Sequence, residues 1–71
     1  MIDYKEAKGL LIGSVLSYHT MRWEPKIGTV VLKNDIESES KVQIVVKEKD
    51  GRLRLLEIEC GKFAMVEVLS L

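Results

Sequence analysis

Residues 41–51 hold the feature that most limits what this chain can become. Val42, Ile44 and Val46 alternate with Lys41, Gln43 and Lys47, and Asp50-Gly51 follows within a few positions. Period-two alternation is the pattern of a strand with one buried face. Asp-Gly after such a run signals a hairpin, because both central positions of a tight turn tolerate positive φ. The chain is therefore expected to return antiparallel after Gly51, in a mostly β domain.

The returning run starts with Arg52, Leu53, Arg54 and Leu55, basic out and apolar in, and then changes parity. Leu56, Ile58 and Cys60 become the apolar set while Glu57 and Glu59 face water. A one-residue slip of this kind predicts a β-bulge or sharp bend between Leu55 and Glu57, which lets one strand serve two sheets at a barrel corner. After Gly61 and Lys62, residues 63–65 are expected to form a single helical turn and residues 66–71 a last short strand.

Ahead of the hairpin, residues 26–34 read as the central strand. Gly28, Val30 and Leu32 share one face, and Ile27, Thr29, Val31 and Lys33 share the other. Gly28 leaves a gap that suits a bend or a backbone crossing nearby. Asn34-Asp35 supplies turn residues, and residues 37–40 form a solvated tip. Near the N-terminus, Asp3 and Glu6 have the spacing of a capping box, with Ile2 and Ala7 at the staple positions. These predict helical turns over Tyr4 to Lys8, ended by a left-handed Gly9. Residues 10–19 admit two readings, a strand over Ser14 to Tyr18 or a helix continuing from Asp3 to His19. Gly9 and Gly13 inside a helix would cost about 1 kcal/mol each, which favours the strand. Pro25 pushes Glu24 towards an extended conformation, so residues 19–25 read as a loop anchored by Trp23.

Size and charge narrow the function classes. With 71 residues the chain is a single domain, residues 1–9 forming the helical turn and 14–71 the β unit. Eleven basic residues balance eleven acidic ones along the whole chain, which is not the composition of a polyanion-coating protein. The most apolar window, residues 9–18, is too short to span a bilayer, so no membrane association is expected. One cysteine, Cys60, excludes an internal disulfide framework and makes a reducing cytoplasm the simplest compartment. By strand parity Cys60 is expected to be a small buried hydrophobe. One histidine and one cysteine build neither a four-ligand zinc site nor a recognisable catalytic set, so no enzyme activity, metal or cofactor is expected.

The order of elements resembles a small five-stranded SH3-like β-barrel with a short N-terminal helical turn. Ile27-Gly28-Thr29-Val30-Val31, then Val42 to Val46, then Asp50-Gly51-Arg52, and finally Val66-Glu67-Val68-Leu69 are similar to the short SH3-like proteins of tailed bacteriophages. Ile27-Gly28-Thr29-Val30 is also similar to the Gly-x-Val core of KOW modules, which bind RNA and transcription or ribosomal proteins on the same type of barrel. The resemblance implies a binding protein and supplies no catalytic residue.

Two groups of residues are candidate sites. Tyr18, His19, Arg22 and Trp23 lie close together in sequence, and aromatics beside a guanidinium stack on a partner's side chains, prolines or bases. The alternative is that Trp23 covers an open end of a small core while Tyr18 is half buried. Lys41, Lys47, Arg52 and Arg54 form a basic strip if all four face outward, offering nucleic-acid contact; cross-strand pairing with Glu57 and Glu59 is the alternative. The expected function is that of a non-enzymatic small binding protein docking on a larger protein partner, in the setting of a phage or mobile element that modulates a host machine. An RNA- or DNA-binding module of KOW-like type is the first alternative, and a structural subunit that self-assembles as a homo-oligomer through exposed strand edges is the second.

Overall fold

The computed structural model describes residues 1–19 and 24–71. Helix α1 covers Tyr4–Lys8, and the strands are β1 (Val15–His19), β2 (Pro25–Ile36), β3 (Lys41–Glu48), β4 (Leu53–Glu59) and β5 (Val66–Ser70). All five lie in one antiparallel sheet of order β4-β3-β2-β1-β5. This is the mostly β, five-stranded class expected, with the short helix in front, and it is compatible with an SH3-like fold. The sheet differs from the expectation in one respect. It does not close into a barrel, because β4 and β5 are its two edges and do not pair.

Helix α1 starts where local chemistry places it. The Glu6 N–H donates to Asp3 Oδ1 at 2.8 Å, satisfying one of the free donors of the first turn. At the other end Gly9 is not left-handed, with φ −86°; its N–H donates back to Glu6 O and the chain runs on to bury Leu10. The left-handed glycine comes later, at Gly13 with φ 96°, where the chain turns into β1. A helix of five residues is not stable alone. Ala7 is buried against the core, and the Lys33 ammonium donates to the Lys8 carbonyl at the helix end. The extended helix from Asp3 to His19 is not formed.

Strand β2 is the longest and contains the bulge. Val30 lies opposite Val46 but Leu32 lies opposite Val45, so Val31 is the additional residue. The slip sends Lys33 to the core side and Leu32 to the outside, where it is 51% exposed, correcting the expectation that Leu32 shares a face with Gly28 and Val30. The strand also continues through Asn34 and Asp35, which are ladder residues and not a turn. The reversal falls on a 3-10 turn over Glu37–Glu39 and on Ser40, a non-glycine residue with positive φ (50°).

The β3–β4 hairpin turns at Asp50-Gly51 as expected, but its loop is longer than a two-residue turn. Glu48 N–H donates to Arg52 O and Gly51 N–H to Glu48 O, so the loop contains Lys49 as well as Asp50 and Gly51. Only Gly51 has positive φ, 89°, and the Asp50 carboxylate accepts from Arg52 N–H instead of taking that conformation itself. The additional loop residue places Arg54 opposite Val46, Leu56 opposite Ile44 and Ile58 opposite Val42. The register runs without a shift along all of β4, and there is no distortion between Leu55 and Glu57. Leu53 and Leu55 face outward from the start.

The core is one cluster built from Leu16, Tyr18, Val30, Val42, Ile44, Val46, Ile58 and Val66 of the sheet together with Ile2, Ala7 and Leu10. Cys60 lies beyond β4 and is exposed, contrary to the expectation of a buried thiol. Residues 63–65 form no helical turn; Ala64 instead exchanges backbone hydrogen bonds with Ile2.

Candidate functional site

Of the aromatic and basic loop group, Arg22 and Trp23 lie outside the described residues. His19 ends β1 opposite Pro25 and is exposed. Tyr18 is not a partner-facing residue. It is 2% exposed, and its hydroxyl donates to Glu48 Oε2 at 2.6 Å. This correction follows from β1 parity, since Leu16 and Tyr18 point into the core while Ser17 and His19 point away.

Tyr18 belongs to a polar cluster at the hairpin end of the core. Glu48 is buried on the inner face of β3, and its Oε2 accepts from both Tyr18 and Arg54 Nε, the latter at 2.8 Å. Arg54 reaches it because the hairpin register puts Arg54 on the inner parity of β4. The guanidinium hydrogen bond, reinforced by the phenol, holds the Glu48 carboxyl below its ordinary range. Burial, followed by the neighbouring carboxylate, pushes the Tyr18 phenol up, so it remains a neutral donor. Gly28 makes room for this contact. A Cβ there would stand 2.8 Å from the Tyr18 hydroxyl and 2.9 Å from Val46 Cβ. Buried side-chain polar atoms among the described residues all have partners, so the cluster is a satisfied structural network.

The basic strip does not survive as a unit. Lys41 Nζ lies 3.0 Å from Glu57 and 3.5 Å from Glu39, and the Glu57 contact raises the lysine while lowering the carboxyl. Arg54 is turned inward to Glu48. Lys47 and Arg52 remain as exposed cations, Lys47 on the outer face of β3 and Arg52 beside the hairpin loop.

What the structure brings together instead is apolar. Leu32, Val45 and Leu55 lie in one cross-strand row on the outer face, since Leu32 is opposite Val45 and Val45 opposite Leu55. Leu53 is 62% exposed and Leu55 53% exposed on the same face, and Ile27 is exposed further along β2, beyond Thr29 and Lys47. Ile27, Thr29, Val31 and Lys47 line a shallow groove continuing across β2 and β3. Several large aliphatic side chains are therefore exposed on one face of the sheet. Sequence reading missed it because a two-residue Asp-Gly turn turns Leu53 and Leu55 inward. Counting the hairpin with Lys49 in the loop would have exposed them.

Among the described residues no group of three or more His, Cys, Asp or Glu side chains is placed to hold a metal, and no helix is long and apolar enough to cross a membrane. Comparison with protein-family models, with curated proteins and with solved structures finds no match to this chain.

Proposed function

We propose that this chain is a non-enzymatic binding protein of the small SH3-like kind, akin to the short proteins of tailed bacteriophages, that docks on a larger protein partner and modulates a host machine. The observation that carries the docking reading is the outer sheet face on which Ile27, Leu32, Leu53 and Leu55 are exposed around a half-buried Val45, while the buried polar side chains among the described residues are satisfied internally. Protein surfaces use such aliphatic faces, with charged rims, as the centres of interfaces. Lys47, Arg52 and Glu57 supply the rim here. A KOW-like nucleic-acid module is the weaker proposal, because two of its four cations, Lys41 and Arg54, are already paired.

The test is capture from a bacterial lysate by the wild-type chain and by Ile27→Ser/Leu32→Ser. Both residues are exposed, so the variant should keep the wild-type circular dichroism and Tm. Loss of the captured partner supports docking through the outer face. Retention of the same partner overturns it, and a parallel Arg22→Ala/Trp23→Ala variant then asks whether residues 19–25 carry the contact. Salt-sensitive binding to short RNA that Lys47→Ala/Arg52→Ala abolishes would favour the nucleic-acid module instead.

A further inference from the structure

The two sheet edges differ in a way that selects one of them for pairing. Strand β5 has five residues, and its register against β1 shifts between Val15 and Leu16, an irregularity that turns an edge away from further pairing. Strand β4 has seven residues in unbroken register with β3. Its backbone parity is set by its ends, because Arg52 O accepts from Glu48 N–H and Cys60 N–H donates to Ser40 O. The even residues of β4 therefore bond to β3, while Leu53, Leu55, Glu57 and Glu59 turn their N–H and C=O groups to the open side.

We propose that the occupant of this edge is a second copy of the same chain, paired β4 to β4 in antiparallel fashion about a two-fold axis at Leu55. The register follows from the outer-face row. Leu32, Val45 and Leu55 run across three strands and end at the open edge. An axis at Leu55 continues that row without interruption into Leu55, Val45 and Leu32 of the second copy. The same axis sets Leu53 opposite Glu57 of the second copy and Arg54 opposite its Leu56, so no like charges face each other. Lys47, opposite Leu53 within the chain, then shares a cross-strand row with Glu57 of the second copy. Leu53 stands between these two charges, and Glu57 is already paired with Lys41 of its own chain, so the contact is apolar at its centre with charges of opposite sign only at its margin. An isologous contact of this kind closes on itself and leaves no β4 edge free. The result is a ten-stranded sheet with a doubled outer face.

Sedimentation velocity of the full chain at micromolar concentration is expected to show a dimer. Leu55→Lys, which sets two ammonium groups against each other at the axis, should weaken self-association by about tenfold or more. Its circular dichroism should match wild type, because Leu55 is an exposed side chain, while its Tm should lose the concentration dependence that a dimer confers. Two cysteine variants test the register in a Cys60→Ser background. Leu55→Cys should cross-link to a dimer under mild oxidation, whereas Glu59→Cys should not, and this pair decides the matter even if Leu55→Lys perturbs folding. A chain that stays monomeric up to ~1 mM overturns the proposal. So does an assembly larger than a dimer, as pairing of β4 with β5 of the next copy would produce, or equal cross-linking of the two cysteine variants. Loss of dimerisation with lysate capture intact leaves the docking reading standing by itself.

Discussion

At the scale of single residues, Gly28 and Glu48 explain most of what the hairpin end of the core does. The missing side chain at Gly28 was legible as a place of close approach, but the sequence suggested a neighbouring backbone, and the occupant is the Tyr18 hydroxyl. No sequence pattern announces that contact, since Tyr18 and Glu48 are thirty positions apart and meet only once β1, β2 and β3 are aligned. Gly28→Ala should destabilise the fold by about 1–3 kcal/mol, read from chemical denaturation, because the methyl group displaces the phenol or Val46. Glu48 makes stability depend on pH. Its folded pKa is depressed below the ordinary 4.5, so its contribution is present above that value and is lost as pH falls through the folded pKa. Tm measured from pH 7 downward should therefore drop on the acid side in wild type. Glu48→Gln should start lower and show a shallower acid limb; an unchanged slope would mean that Arg54 and Tyr18 do not stabilise the carboxylate.

Elements were legible in proportion to how local their causes are. Helix α1 was readable to its residue limits because Asp3 caps it through a contact three residues away. Strand β3 was readable because alternation belongs to one strand and to one buried face. Registers were not, since each depends on a count of residues at a turn. One residue more in the hairpin loop reverses the faces of β4 and removes the need for a bulge at Leu55-Leu56. The bulge in β2 at Val31 lies in a run of consecutive apolar residues, Val30, Val31 and Leu32, where alternation is lost and parity is therefore invisible. Gly51 is the position at which the three-residue loop can be tested. Its φ of 89° disfavours any side chain, so Gly51→Ala should cost about 1–2 kcal/mol in stability. Asp50→Ala removes only an exposed turn hydrogen bond and should cost about 1 kcal/mol or less. Equal effects would contradict the loop geometry.

For the whole molecule, the radius of gyration of 11.2 Å is that of a folded domain of this length, for which about 11 Å is expected. The sheet nevertheless stays open. Closure was not readable because it depends on whether the two edge strands meet, a property of accumulated twist and register that no single segment encodes. The open form leaves β4 with unpaired backbone groups and an apolar outer face at the same place, and both the docking reading and the dimer follow from that coincidence. The shared premise is the parity of β4, which backbone amide exchange followed by NMR reports directly. In the Leu55→Lys variant, where the edge is free of a second copy, the amides of Arg54, Leu56 and Ile58 should be protected. Those of Leu53, Glu57 and the substituted position between them should exchange rapidly. Protection of the odd-numbered amides, or a change of protected parity between positions 55 and 56, would contradict the account.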